Sequence, residues 1–160
     1  MAADTVKDFL GDGTNTVTVS KGQSNSGTFK NSILTASNVS SATCKKTSDG
    51  KYYEISINLK GDTMSKGQNG IVGKVTNDFK TVDEAYAGLS DVGAKVESIT
   101  ANTSGSTIYT KIQISSGKIV SLKYHIIMDI TMTNIKYSIL SVKKATGLST
   151  TDVTYSSIKW

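Results

Sequence analysis

The chain has 160 residues, 37% of them hydrophobic and only 19% charged, with a formal net charge of +5. That length suffices for one domain (residues 1–160) with its own core and no metal or disulfide staples. No run approaches the roughly 18 apolar residues of a membrane span, which excludes a transmembrane helix from the reading.

All eighteen basic residues are Lys, and the chain has no Pro. Arg is the usual choice for bidentate phosphate and base recognition, and these lysines are scattered, with Lys45-Lys46 and Lys143-Lys144 the only adjacent pairs. The pattern therefore argues for a solubilising surface over a basic patch for nucleic acid or an anionic cell envelope. Ser, Thr, Gly and Asn make up the missing apolar bulk, as suits a β-rich domain with many turns. Cys44 has no second cysteine to pair with, and its alternating neighbours predict a small buried side chain. The start, Met1-Ala2-Ala3-Asp4, lacks the charged and apolar regions of a signal peptide, so any native targeting segment is expected to have been removed.

Residues 4–10 predict a short helix stopped by Gly11, with residues 1–13 as the end of a truncated N-terminal helix. Residues 14–20 predict a narrow strand and residues 21–27 a polar loop. Phe29, Ile33 and Leu34 are expected as isolated apolar anchors. Residues 39–59 predict a hairpin reversing at Ser48-Asp49-Gly50, with Tyr53, Ile55, Ile57 and Leu59 on one face. Residues 61–73 predict a flexible connection.

Thr81-Val82-Asp83-Glu84 has the capping-box form, and Val82, Ala85, Tyr86 and Leu89 repeat at helical spacing, so residues 81–89 predict a helix. Residues 96–101 and 106–114 are expected to pair across Asn102-Thr103-Ser104-Gly105. The chain then reverses at Ser115-Ser116-Gly117 into a long strand over 118–133. Its even positions, Val120 to Met132, are all apolar, and the odd ones are polar apart from Ile127. A period of two describes a sheet with one buried face. Sixteen extended residues span about 53 Å, so the strand must curve, carry a bulge, or belong to a large twisted sheet. Apolar positions then turn odd (Ile135, Tyr137, Ile139), predicting a turn or bulge near Thr133-Asn134. Val153, Tyr155 and residues 158–160 predict a closing strand. The fold class that follows is α+β: a curved, mainly antiparallel sheet with long strands, packed by one or two short helices.

Four phrases carry a resemblance: Asn31-Ser32-Ile33-Leu34-Thr35-Ala36, Ser48-Asp49-Gly50-Lys51-Tyr52-Tyr53-Glu54-Ile55, Ser106-Thr107-Ile108-Tyr109, and Ser116-Gly117-Lys118-Ile119-Val120-Ser121-Leu122-Lys123-Tyr124. From about Gly27 onward the chain resembles an uncharacterised β-rich extracellular module of secreted or surface-anchored proteins from low-GC Gram-positive bacteria, gut clostridia among them. The resemblance implies a location outside the cell or at its surface. It implies no reaction and no functional residue, since its phrases are turns and strands.

No catalytic residue, metal ligand or cofactor is assigned from the sequence. Gly67 to Val75 fails as a phosphate loop, because five residues separate the outer glycines and Val75 stands where Ser or Thr should hold magnesium. His125 is the one histidine, and Asp129, on the same face, lies about 13 Å along an extended strand. No G-x-S-x-G elbow supplies a nucleophilic serine. Asp8, Asp12 and Asn15 lack calcium-loop spacing. Glu54, Glu97 and Asp129 are the carboxylates to watch for glycan hydrolysis, which needs two of them within ~5–10 Å. Soft Met128 and Met132 suggest a second candidate: Tyr124, Ile126, Met128, Ile130, Met132 and Tyr86 as a face for a hydrophobic ligand, with core packing as the competing reading. Three functions follow. The first is a non-enzymatic extracellular or cell-surface module with a binding or structural role, its ligand open and a cell-envelope component one candidate partner. The second is a carrier of a lipid or other hydrophobic small molecule between sheet and helix. The third is a glycan hydrolase using two carboxylates.

Overall fold

The computed structural model describes Ser20 and residues 32–68, 70–76, 82–158 and 160. The expected N-terminal helix and first strand, Phe29 and the Thr81 capping box lie outside the described residues. After a 3-10 turn at Ala36–Asn38 come strands β1 (Val39–Lys46), β2 (Tyr52–Leu59) and β3 (Asp62–Met64). Helices α1 (Ile71–Thr76) and α2 (Val82–Asp91) follow. Strands β4 (Ser98–Thr103), β5 (Thr107–Gln113), β6 (Ile119–Tyr137) and β7 (Leu140–Tyr155) complete the chain.

Among the described residues, the seven strands join one open, antiparallel sheet with β6 at its centre. At 19 residues β6 is longer than the alternation indicated, about 63 Å at full extension. β7 pairs with it from Leu122 to Tyr137. Both β5 and β4 pair with residues of β6 that β7 also contacts, so they must share the opposite edge. They lie end to end on that edge, β4 against Met128–Thr133 and β5 against residues 119–125.

The expected β4–β5 hairpin is therefore absent. Four residue steps separate Thr103 from Thr107, against three from His125 to Met128 on β6, which is the signature of a bulge. Gly105 takes a left-handed conformation there (φ 69°), and Ser106 Oγ accepts the Ile127 N–H at 3.2 Å. Turn-forming residues here bend one continuous ribbon instead of reversing it. β2 pairs with β5, and β1 with β2. The β1–β2 hairpin forms where it was expected, but only Gly50 has a positive φ, while Asp49 accepts the Lys51 N–H and the Thr47 hydroxyl.

The period of two sorts the two faces. Tyr124, Ile126 and Met128 of β6 are buried beneath α1 and α2, with Leu59, Met64, Val72, Val75, Val82, Ile99, Ala101 and Ile108 in the same cluster. Residues 61–73, expected to be a flexible link, instead hold β3 and the start of α1, and contribute Met64 and Val72 to the core. Asp62 accepts the Ile71 N–H at 2.7 Å and Asp83 accepts the Gly67 N–H at 3.0 Å, tying this segment down. Cys44, expected inside, is exposed because β1 is an edge strand with little covering either face. Ile33 and Leu34, expected as anchors, are exposed too.

Near Asn134 the chain adopts a positive φ of 48° without turning. The pairs Thr133–Lys144 and Ile135–Val142 keep one register across it, so in place of the expected turn or bulge stands a single left-handed residue within the strand. Beyond it the β6–β7 hairpin projects with Tyr137, Ile139, Leu140 and Val142 exposed.

Candidate binding face

The second face of the sheet is polar, and strand register builds it in rows. One row runs Lys45, Glu54, Lys111, Ser121 across β1, β2, β5 and β6. The next runs Thr43, Ser56, Tyr109, Lys123, Thr154 and continues onto β7. A third runs Ser41, Asn58, Thr107, His125, Asp152. Directly paired residues point to the same side of a sheet, so each row is a line of neighbouring side chains about 5 Å apart.

The first two rows line a shallow open groove of about 440 Å³. Tyr109 is 46% exposed at its centre, directly opposite Lys123. Lys111 Nζ sits 3.1 Å from Glu54 Oε1 and 5.1 Å from the centre of the Tyr52 ring. Three lysines against the two carboxylates that pair with Lys111 and Lys123 (Glu54 and Asp152) leave the groove with an excess of positive charge around an exposed phenol, with hydroxyls from Thr43, Ser56, Ser121 and Thr154 as hydrogen-bonding groups.

The third row lies beside the groove and carries an ion-pair cluster. Asp152 Oδ1 lies 3.1 Å from both His125 Nδ1 and Lys123 Nζ. Hydrogen bonds from His125 first, then Lys123, hold the Asp152 carboxyl below its ordinary value of 3.8. A carboxyl with a lowered folded-state pKa stabilises the fold above its unfolded value, and that contribution disappears as pH falls through the lowered one. Asp152→Asn is therefore expected to lose less melting temperature than the parent chain between pH 7 and pH 3, as thermal denaturation at the two pH values would show.

The residues expected to face a hydrophobic ligand take their places in the core. Tyr124, Ile126 and Met128 are buried, and Ile130, Met132 and Tyr86 pack half-buried against the same cluster. None of the six lines the groove above, or the polar hollow bordered by Asp62, Gly67, Lys74 and Asp83.

The three carboxylates singled out for hydrolysis stand far apart. Glu54 is level with Ser121 on β6, whereas Asp129 lies eight residues further along, about 26 Å. Glu97 precedes β4 and accepts a hydrogen bond from the Asn134 amide, five residues beyond Asp129 and about 16 Å from it. None of these pairs meets the spacing that glycosidase chemistry requires. Among the described residues no three His, Cys, Asp or Glu side chains gather as a metal site, and no helix is long and apolar enough to cross a membrane.

Sequence reasoning missed Tyr109, Lys111 and Lys123 as a group, and the pairing of His125 with Asp152. Lys45 and Lys123 are 78 positions apart, and only the register of four strands brings them together. Comparison with protein-family models, with curated proteins and with solved structures finds no match for this chain.

Proposed function

We propose that this chain is a non-enzymatic binding module of the cell surface or extracellular space, and that its polar sheet face takes an anionic polymer of the cell envelope. The observation that carries this reading is that Lys45, Lys111 and Lys123 line one groove together with the exposed Tyr109 ring. Lysine suits the role, because its compact charge on a flexible stem follows a repeating anionic chain without demanding bidentate geometry. An exposed phenol adds an apolar plate for a sugar ring and a hydroxyl at its edge. The groove is open, as a long polymer needs. A net charge of +5 adds long-range attraction. The dispersal of Glu54, Glu97 and Asp129 favours binding over hydrolysis.

The test is affinity electrophoresis through gels containing polygalacturonate or neutral dextran. Retardation by polygalacturonate alone, weakening with added salt, is the expected result. Tyr109→Ala and Lys45→Glu, both at exposed positions, should each reduce it several-fold. Equal retardation by dextran, or indifference to both substitutions, would refute the reading.

A further inference from the structure

The outer edge of β7 has a built-in partner in its own sequence. Over residues 144–152, β7 pairs with β6 on one side and, among the described residues, with no strand on the other. An edge of this length is a template for pairing with another chain unless it is blunted. Leu148 is 66% exposed on the polar face of this edge, opposite Asp129, where nothing among the described residues calls for a large apolar side chain.

We propose that two copies of this chain join edge to edge through β7, antiparallel, with Leu148 on the two-fold axis. Symmetry restricts the registers sharply. Directly opposite residues in an antiparallel pair share a face, and the axis stands perpendicular to the sheet, so every opposed pair must be both even or both odd. With Leu148 on the axis, Lys144 of each copy falls opposite Asp152 of the other, giving two opposite-charge pairs that flank a Leu148–Leu148 contact. Thr146 then faces Thr150. On the other side Gly147 meets Ser149 and Ala145 meets Thr151, small residues that let the backbones approach. Centring on Gly147 sets Lys144 against Thr150 and Asp152 against Val142. Centring on Ser149 sets Lys144 against Thr154. Neither alternative pairs a charge or buries both leucines in one contact.

β1, the other long edge, lacks this complementarity. Its sequence has no acidic residue, ends in Lys45-Lys46, and carries an irregularity between Val39 and Ser41, all devices that discourage pairing. The two contacts already made by Asp152 both fall on Oδ1, and a carboxylate has acceptor capacity for a further lysine. The pairing would merge the two copies' sheets into one, with both polar faces turned the same way.

Sedimentation equilibrium of the full chain tests this, with circular dichroism to confirm the fold of each variant. A reversible dimer is expected. Lys144→Asp brings a second carboxylate opposite Asp152 at two symmetric places and should weaken dimerisation about tenfold or more. Asp152→Lys should do the same, and the double exchange Lys144→Asp/Asp152→Lys should restore it. Leu148→Lys, which opposes two ammonium groups on the axis, should leave a folded monomer. A parent chain that stays monomeric at the highest soluble concentration would overturn the proposal. So would a dimer that tolerates Leu148→Lys, or a double exchange that fails to recover what the single changes lose.

Discussion

Ile126→Ala is expected to reduce the free energy of unfolding by about 2–5 kcal/mol, the cost of removing a large aliphatic side chain from a site that cannot collapse. Ile126 is fully enclosed at the centre of the buried cluster, where helices cover the sheet from above and neighbouring strands close it on either side. Stability of a domain this size is of order 5–15 kcal/mol in total, so the change consumes a large part of it. The adjacent Ile127 supplies the control. It is the same residue type on the same strand, but it points to the polar face and is only half-buried. Ile127→Ala should cost much less, because water already reaches its side chain. Urea denaturation of the two variants separates the faces, and equal losses would contradict the alternation.

Tyr86→Phe should cost about 1–3 kcal/mol, a large effect for the loss of one oxygen. The Tyr86 hydroxyl accepts the Ile99 N–H at 2.7 Å and donates to the Glu97 carbonyl at 3.3 Å. β3 covers the outer edge of β4 only from Ala101 to Thr103, so beyond its end the helix supplies the missing partner from a side chain. Ile99 is buried, and stripping the hydroxyl leaves its N–H in a place that water reaches poorly, which carries the full desolvation penalty. The measurements are thermal denaturation and hydrogen exchange at the Ile99 amide. A drop of several degrees in melting temperature with faster exchange at that amide is expected. An unchanged exchange rate would show that the bond does not anchor α2 to the sheet.

How much of this was legible in the sequence follows from which faces meet water. β6 announced itself because one side is covered, so apolar and polar residues alternate. β7 was visible only near Val153 and Tyr155, where its core side is half-buried; from Leu140 to Thr150 nearly every residue is exposed, and a ribbon wet on both sides has no period to read. The Asn102–Gly105 stretch misled because turn residues serve bulges as well as hairpins. The order of α2 after the β1–β2 hairpin was readable from helical spacing and turn chemistry. Short β3 and α1 carry too few residues for either signal. Cys44 followed an alternating pattern on a strand with no cover. The binding face was illegible for a different reason: each of its residues looks like any other solvent-facing side chain until cross-strand register assembles the rows.

Fold and binding face both depend on β6 being one extended ribbon with its even side chains sheltered. In a Cys44→Ser background, single cysteines placed in turn at positions 120 to 132 can be labelled in the folded protein with a maleimide. Fast labelling at odd positions and slow labelling at even ones, strongest in contrast around 124 to 128, is the result predicted. A rate that rises and falls every three to four residues, or that is uniform along the segment, would contradict it.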